Sequence, residues 1–245
     1  MKKSIVLLFL SFFAITIWSQ TAESVVSKYL ENIGGADNWK ALKTAKFVGT
    51  LPTPQGDFSF EMLRKAPNKF IVSVDVMGQK LVPQAYDGEV AWTINPFMGN
   101  PEPQKLDEEQ AKSVKQQSDF EDPFIDYASK GNEVAYIGTS DVDGVKCYEL
   151  LLTKNKGKED EEAMNYFFDA ETYLPLMVKQ TPTSGQMSGQ EMNIYYSDYQ
   201  DAGNGLIMPY SLDTKVGGQT VQSITFTTIE FNGDIADDVF KYPGQ

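Results

Sequence analysis

The sequence predicts a mainly β fold with helices (α+β): one strongly curved antiparallel sheet, left as a half-open barrel of about ten or eleven strands, under a helical lid. Apolar residues alternate with polar ones along most of the chain, which is the period of half-buried strands. Turn sequences rich in glycine, proline and asparagine separate these runs, as in an antiparallel meander. The chain has 245 residues, is 41% hydrophobic and has no linker rich in proline or serine, so we expect a single domain.

Residues 1–20 are typical of an export signal. Lys2 and Lys3 precede the apolar run 5–18, which spans about 14 residues, fewer than the roughly 20 that a transmembrane helix needs. We therefore expect a cleaved secretory signal peptide, with an uncleaved membrane anchor as the alternative. No cysteine lies near the junction, so the mature domain, residues 21–245, should reach the periplasm without a lipid anchor of its own.

Composition disfavours several classes of function. With 21 basic and 34 acidic residues, the formal charge is −13, which disfavours nucleic acids and anionic membrane surfaces as partners. The lack of histidine excludes histidine-activated nucleophiles and histidine metal cages. The single cysteine, Cys147, cannot form an intrachain disulfide and is expected to be a buried packing residue. We expect no cofactor, no metal site and no enzymatic activity.

The first element of the mature chain should be a helix. Thr21 can cap it, and Gly34 and Gly35 can end it, because glycine adopts the left-handed conformation at low cost. Asp37 can start a second short turn that holds Trp39 and Leu42. The apolar face of the first helix, at three- and four-residue spacing, comprises Val25, Val26, Tyr29, Leu30 and Ile33.

Strand patterns begin at Ala45, where the apolar period becomes two. Three turns, at 54–56, 66–68 and 87–88, separate the first strands. The alternating apolar positions are Phe58, Phe60, Met62, Phe70, Val72, Val74, Val76, Val90, Trp92 and Ile94. Further strands are predicted over 133–138, 145–153, 164–169, 174–180, 192–199, 206–214 and 220–231. The segment 141–144 resembles a fragment of a calcium loop but lacks the later oxygen ligands, so we predict a hairpin turn there.

Residues 100–131 interrupt the strands. Leu106 or Asp107 should open a polar helix that runs to about residue 117, and Asp122 should cap a second helix with Pro123 at its first position. The apolar face and the last residue of this second helix are Phe124, Ile125, Tyr127, Ala128 and Gly131. Both helices have little sheet of their own, so we expect them to cover the concave face.

One predicted face of the sheet is rich in aromatic residues and methionine, which suit irregular ligands. Periodicity does not tell a ligand cavity from an ordinary dry core, so both readings stay open. As a candidate hydrophobic cavity we take Phe58, Phe60, Met62, Phe70, Val72, Val74, Trp92, Ile94, Leu150, Phe168, Ile194 and Phe226. The same wall also holds Val90, Tyr148, Leu152, Tyr166 and Met192.

Arg64 is the only arginine of the chain. It lies at the end of an apolar strand, just before a turn. A guanidinium can hold two carbonyl or carboxylate oxygens in a fixed fork, which a lysine cannot. Arg64 is therefore either a functional anchor for such oxygens or a surface residue paired with an acid.

A set of short motifs comes in a defined order. They are Gln55-Gly56-Asp57, Arg64 followed by Pro67-Asn68-Lys69-Phe70, Asp87-Gly88, Trp92, Asn95-Pro96-Phe97, Phe226-Thr227, Asp237-Asp238 and Phe240-Lys241-Tyr242-Pro243-Gly244. In order and spacing this set resembles the LolA-like family, the periplasmic carriers that take lipoproteins from the inner to the outer membrane. The early Gly34-Gly35-Ala36-Asp37 and Trp39 are similar to longer LolA-like proteins.

The resemblance implies a half-open barrel with a helical lid and a hydrophobic cavity for acyl chains. It also implies that Arg64 ties the lid shut through backbone carbonyls and is needed to hand the cargo on, with Lys65 as a competitor for that role. The expected protein is a periplasmic, non-enzymatic lipoprotein carrier. Its partners would be lipidated proteins or lipid, an inner-membrane lipoprotein-releasing transporter and an outer-membrane acceptor, and we expect a monomer.

Three alternatives stay open. The chain could carry free lipid or another apolar small molecule, or it could be a sensor domain that binds lipoprotein or misfolded outer-membrane protein and reports to a regulator. It could also be a hydrolase that uses paired carboxylates without histidine.

Overall fold

The described part of the chain comprises residues 20–54, 56–158, 160–183 and 187–244 of a computed structural model. The predicted signal peptide, apart from residue 20, lies outside the described residues. So does Gln55, which belongs to the predicted turn at 54–56 and to the first of the short motifs. Everything below refers to the described residues.

A single antiparallel sheet forms the body of the protein, as the sequence predicts. Its strands are β1 (Thr44–Thr53), β2 (Gly56–Lys65), β3 (Lys69–Val76), β4 (Gln79–Tyr86), β5 (Ala91–Asn95), β6 (Asn100–Lys105), β7 (Glu133–Val142), β8 (Val145–Lys154), β9 (Glu162–Asp169), β10 (Pro175–Gln180), β11 (Met192–Asp201), β12 (Ile207–Val216) and β13 (Gln219–Phe231). Their order is β6-β5-β4-β3-β2-β1-β13-β12-β11-β10-β9-β8-β7. The sheet is curved and unclosed, with β6 and β7 at its edges.

Two strands were missing from the sequence prediction. β4 contains Pro83 and several polar residues, and β6 contains Pro101 and Pro103, so neither shows an apolar alternation. β6 tolerates its prolines because it is an edge strand, where a missing N–H breaks no ladder hydrogen bond on the free side. The predicted interruption, 100–131, therefore begins later in the structure, and we call residues 106–132, which connect β6 to β7, the insert.

The N-terminal helices follow the sequence closely. α1 (Ala22–Asn32) begins at Thr21, whose hydroxyl accepts a hydrogen bond from the backbone N–H of Ser24, and Gly34 after it has a positive φ. α2 (Ala36–Lys40) is one short turn that contains Trp39. α1 packs into the concave face, where its apolar side buries Leu150, Leu152 and Phe168.

The insert contains one helix where the sequence predicts two. α3 (Glu108–Ser118) begins at the predicted cap, Asp107, and lies over β4 and β5. The predicted second helix from Asp122 is wrong, because residues 123–131 form consecutive turns. Asp126 has a φ of 49°, which no right-handed helix can contain. Helix propensity is a weak prior that local turn geometry overrides here.

The convex face is covered by the C-terminal segment, residues 232–244. Phe240 and Ile235 pack against Ile71, Val82 and Trp92 there. The indole N–H of Trp92 donates to the carbonyl of Phe240 over 2.9 Å. This segment therefore covers the outer face of β3 to β5, while their inner face points to the concave side of the sheet.

Candidate functional site

A large cavity opens between the insert and the concave face of β9 to β13. Its volume is about 1550 Å³, beyond the roughly 300–1,000 Å³ that is typical of sites for drug-sized ligands. Its apolar lining comes from both walls: Val114 and Phe120 of the insert, and Met164, Tyr166, Met192, Ile194, Tyr196, Leu212 and Ile224 of the sheet. A cavity of this size and lining can hold long or branched apolar groups.

Strand register explains why these side chains share one face. Tyr166 lies opposite Val178, Val178 opposite Ile194, and Ile194 opposite Thr214. Leu212 lies opposite Ile224 on the next ladder. Paired residues of neighbouring strands point to the same side of a sheet, so the apolar row Tyr166, Val178 and Ile194 shares its face with Leu212 and Ile224 of the next two strands.

Polar groups line the cavity where β8 and β9 meet. The Lys154 ammonium and the Glu162 carboxylate, which are opposite each other in the ladder, are 3.9 Å apart. Burial raises the pKa of Glu162, while the charge of Lys154 lowers it. Thr214, Gln180 and Gln222 add uncharged polar groups to the lining. The cavity is therefore amphipathic, with apolar and polar regions.

Arg64 binds the C-terminal end of α3. Its Nη2 donates to the carbonyl oxygens of Gln117, at 3.1 Å, and Asp119. These carbonyls belong to the last turn of the helix and to the residue after it, where backbone oxygens have no partner within the helix. Burial lowers the pKa of Arg64, and the charge of Asp119 partly opposes this. Arg64 thus joins β2 to the insert.

Lys154 binds the same point of the insert from the other wall. Its Nζ donates to Asp119 Oδ2 over 2.9 Å, and the lysine side chain is only 15% exposed. Asp119 is therefore held by Arg64 of β2 through its carbonyl and by Lys154 of β8 through its carboxylate. A single residue of the insert connects the two halves of the open sheet.

Two further hydrogen bonds fix this part of the insert. The N–H of Phe120 donates to the carbonyl of Pro67 in the β2–β3 turn, at 3.2 Å. The hydroxyl of Tyr29 in α1 donates to Asp122 Oδ2, at 2.6 Å. Burial raises the pKa of Asp122, and the bonds from Tyr29 and from the N–H of Phe124 oppose the rise. Residues 117–122 are thus attached to β2, the β2–β3 turn, β8 and α1.

Two buried donors near α3 have no hydrogen-bond partner among the described residues. They are Nε of Arg64 and Nε2 of Gln116. Gln116 lines the cavity. A buried donor without a partner is costly, so an acceptor oxygen of a ligand or of water would stabilise this region.

The twelve residues of the predicted cavity lie in five places. Ile194 lines the cavity, together with Tyr166 and Met192 of the same predicted wall. A neighbouring cluster on the concave face, which includes Phe120, Leu212 and Ile224 of the cavity lining, holds Phe58, Phe60, Met62, Val72, Val74 and Phe226. Phe70 packs under α3, and Leu150 and Phe168 pack under α1. Trp92 and Ile94 lie on the convex face, against the C-terminal segment.

Sequence reasoning did not single out Lys154 or Asp119. Lys154 follows Leu150 and Leu152 at two-residue spacing along β8, so the alternation of the strand places it on the same, concave face. The prediction missed it because a lysine at a strand end is usually solvated. No sequence pattern shows the partner of Asp119, which is 35 residues from Lys154.

Other kinds of site find little support in the described ranges. No group of three or more aspartate, glutamate or cysteine side chains there is arranged to hold a metal ion. None of the helices described is long and apolar enough to cross a membrane. Cys147 is fully buried, and burial raises the pKa of its thiol to about 11, which disfavours the reactive thiolate.

Comparison with known proteins identifies the fold. No protein-family model and no curated protein sequence matches the chain. A LolA superfamily protein from Nitrosomonas europaea is similar in structure, with 13% identity over 91% of this chain and 98% of that one and a TM-score of 0.58. A DUF1329 family protein from Desulfovibrio piger has 13% identity, covers 92% of this chain and 99% of its own, and gives a TM-score of 0.61.

A third similar structure comes from Vibrio parahaemolyticus, a domain assigned to outer-membrane lipoprotein sorting. It has 11% identity, covers 88% of this chain and 97% of its own, and gives a TM-score of 0.55. The chain therefore has a LolA-like fold, as the short motifs predict. At these identities the likeness concerns the fold alone.

Proposed function

We propose that this chain, with its LolA-like fold, is an exported, non-enzymatic carrier that binds the acyl chains of lipoproteins. The observation that carries the proposal is the cavity of about 1550 Å³ with apolar walls on both the sheet and the insert. The names of two similar structures, a LolA superfamily protein and a lipoprotein-sorting domain, support the same class of cargo.

The physical reason for such a cavity is the cost of exposing acyl chains to water. Each methylene group that leaves water gains about 0.8 kcal/mol, so a cargo with long chains needs an apolar enclosure to cross an aqueous space. Cargo must also leave, which requires a second, more open state of the insert. Arg64 and Lys154 bind the insert at Asp119, where breaking a few polar contacts would release it.

The remaining parts of the proposal follow from the sequence. A signal peptide over residues 1–20 would direct the chain to the periplasm. A lipoprotein-releasing transporter of the inner membrane would supply the cargo, and an acceptor at the outer membrane would receive it. A monomer is sufficient for this role, because the cavity is built from one chain.

The test is mass spectrometry of the mature protein purified from its native host. We expect acylated peptides to copurify with the wild-type chain. Ile194→Trp fills the cavity with a larger apolar side chain and should reduce the bound cargo, while Ile137→Trp, on an exposed position of β7, should not. If wild type and Ile194→Trp carry the same amount of acylated peptide, the cavity is not the binding site and the proposal fails.

A second candidate is a carrier of free lipid or another amphipathic small molecule. The polar lining around Lys154 and Glu162 favours it, since a head group could lie there while the tail contacts Ile194 and Leu212. The same experiment separates the two candidates. Free lipid without peptide would support this second function and contradict the first.

A further inference from the structure

Four hairpin tips at one end of the sheet lack charge, although the protein as a whole carries a formal charge of −13 and the β8–β9 tip at the same end is charged. The hairpin tips of β1–β2, β3–β4, β5–β6 and β12–β13 contain no Asp, Glu, Lys or Arg. We call these tips the rim and define it as residues 51–54, 76–79, 94–101 and 216–222. Asp57, Asp75, Lys80, Glu102 and Lys215 lie just outside these ranges, so the uncharged set is confined to the tips themselves.

Strand register places the four tips side by side. β12, β13, β1, β2, β3, β4, β5 and β6 are consecutive neighbours in the sheet. Val76 pairs with Gln79 and Val82 with Ile94, so the β3–β4 and β5–β6 tips lie at the same end. Thr50 pairs with Thr225, which brings the β12–β13 tip beside the β1–β2 tip.

The rim carries three exposed apolar side chains. Met77 is 83% exposed, Phe97 is 54% exposed and Val221 is 50% exposed. Each belongs to a different hairpin, and Met77 stands at the apex of its turn with a φ of 55°. The three side chains protrude separately, with uncharged polar and glycine residues between them.

The opposite end of the same strands has the contrary chemistry. The β4–β5 turn there contains Asp87 and Glu89, and the C-terminal segment contains Asp234, Asp237 and Asp238. Ordinary surface composition would give both ends a similar share of charge. The difference indicates that the rim is adapted to a surface on which charge would be unfavourable.

We propose that the rim docks this protein onto the uncharged, zwitterionic surface of a lipid bilayer. Separate apolar side chains on protruding turns can each enter a fluid interface, where binding strength scales with the apolar area buried. A protein partner would instead select one contiguous apolar patch with a complementary shape. The lack of acidic residues in the rim removes the repulsion that the rest of this acidic chain would meet near lipid phosphates.

The inference goes beyond the proposed function, because it concerns the surface on which the protein docks rather than the cargo in its cavity. Docking through the rim would bring the sheet to the membrane while the charged end stays in water. Acyl chains could then pass between bilayer and cavity with less exposure to water.

Vesicle flotation tests the proposal. The mature chain is mixed with vesicles of pure phosphatidylcholine, and the vesicle-bound fraction is compared between variants. The rim variant combines Met77→Asp, Phe97→Asp and Val221→Asp. The matched control combines Ile137→Asp, Val145→Asp and Val239→Asp, which are exposed apolar residues outside the rim and add the same charge.

We expect wild type and control to float with the vesicles and the rim variant to lose at least about tenfold in partition. The proposal is overturned if wild type does not float with phosphatidylcholine, if it floats only with anionic phosphatidylglycerol, or if the rim variant floats as well as the control. Capture of a protein by a photo-crosslinker at position 97, without flotation of wild type, would also overturn it and would assign the rim to a protein partner.

A parallel measurement separates this proposal from the proposed function. Binding of a fluorescent fatty acid in solution reports on the cavity and should be equal in wild type and the rim variant. Loss of flotation with intact fatty-acid binding therefore concerns the rim alone.

Discussion

Arg64 and Lys65 are consecutive residues of β2, yet they bind different segments on opposite faces of the sheet. Arg64 donates to the carbonyls of Gln117 and Asp119 in the insert. Lys65 donates to the carbonyl of Ile235, at 2.7 Å, and pairs with Asp237, at 2.8 Å, in the C-terminal segment. Consecutive side chains of a strand point to opposite faces, so Arg64 and Lys65 have different partners. Lys65 therefore does not compete with Arg64 for the insert.

The first prediction is that Arg64→Leu loosens the insert without unfolding the protein. The lost hydrogen bonds to the insert should cost about 1–3 kcal/mol in the free energy of unfolding. Amide hydrogen exchange of residues 117–120 should accelerate, and the variant should either trap cargo or fail to load it. Lys65→Leu is the matched control, and it should accelerate exchange in residues 235–240 instead. Cargo transfer at the wild-type rate in Arg64→Leu would disprove a role of Arg64 in release.

The second prediction concerns the other wall. Lys154→Met keeps most of the side-chain volume and removes the ion pairs with Asp119 and, at 3.9 Å, with Glu162. The insert should therefore separate from β8 while Arg64 still holds it to β2. The loss in unfolding free energy should be about 1 kcal/mol, because Asp119 is largely exposed.

Pulsed spin-label distances can check this separation. One pair joins Glu108 in α3 to Lys158 near β9, and the other joins Glu108 to Asp75 in β3. The first distance should lengthen in Lys154→Met and the second should not. Lys156→Met, which removes an exposed pair with Glu133 at 3.5 Å, should change neither. An unchanged first distance would show that Lys154 does not hold the insert.

Local signals were sufficient for the elements that depend on neighbours in sequence. Thr21, Asp107 and the glycines after α1 are read from capping chemistry, and most strands from alternation. β6 was not predicted, because its prolines are unusual in a strand and are tolerated only at the edge of a sheet. The second predicted helix failed because Asp126 adopts a left-handed conformation that no periodicity reveals.

The face to which a strand turns was harder to predict. Trp92 has the right period for the concave wall, but the β4–β5 turn pairs Ala91 with Tyr86. Trp92 therefore pairs with Ala85 and lies on the convex face with Phe240. A shift of one residue reverses every side chain of a strand. Arg64, Asp119 and Lys154 are far apart in the sequence and come together only through the tertiary fold. No local sequence pattern predicts that contact. The role of Arg64 in cargo transfer stays a prediction.

The third prediction is that acid weakens the attachment of the C-terminal segment. Hydrogen bonds from Lys65 and Lys69 lower the pKa of Asp237 from 3.8 to about 2. A depressed carboxyl pKa stabilises the folded state above the unfolded value, and this contribution is lost as pH falls from about 4 through about 2. The protection factors of residues 235–240, which correct hydrogen exchange for its intrinsic pH dependence, should therefore fall over that range.

Asp237→Asn removes the titrating group and provides the test. Residues 235–240 should be less protected from hydrogen exchange in the variant than in wild type at pH 7. The difference should disappear near pH 2. Asp238→Asn, at the exposed neighbouring position, should follow the wild-type profile. If the difference in protection between Asp237→Asn and wild type is constant across the whole pH range, the titration of Asp237 does not control the attachment of the C-terminal segment.

The fourth prediction concerns Tyr29 and Asp122, which join α1 to the insert. Burial raises the pKa of Asp122 and the Tyr29 hydroxyl lowers it, so Tyr29→Phe should raise it further. A raised carboxyl pKa in the folded state means that stability falls as pH increases from the unfolded value through the folded one. The loss caused by Tyr29→Phe should therefore grow from pH 4 to pH 7 and reach about 1–3 kcal/mol.

Chemical denaturation at a series of pH values measures this loss. Tyr127→Phe is the matched control, because Tyr127 packs against the same cluster and its hydroxyl has no hydrogen bond among the described residues. It should cost little at any pH. If the loss in Tyr29→Phe is the same at pH 4 and pH 7, the hydroxyl does not stabilise the charged form of Asp122. The bond would then contribute only as a neutral contact between α1 and the insert.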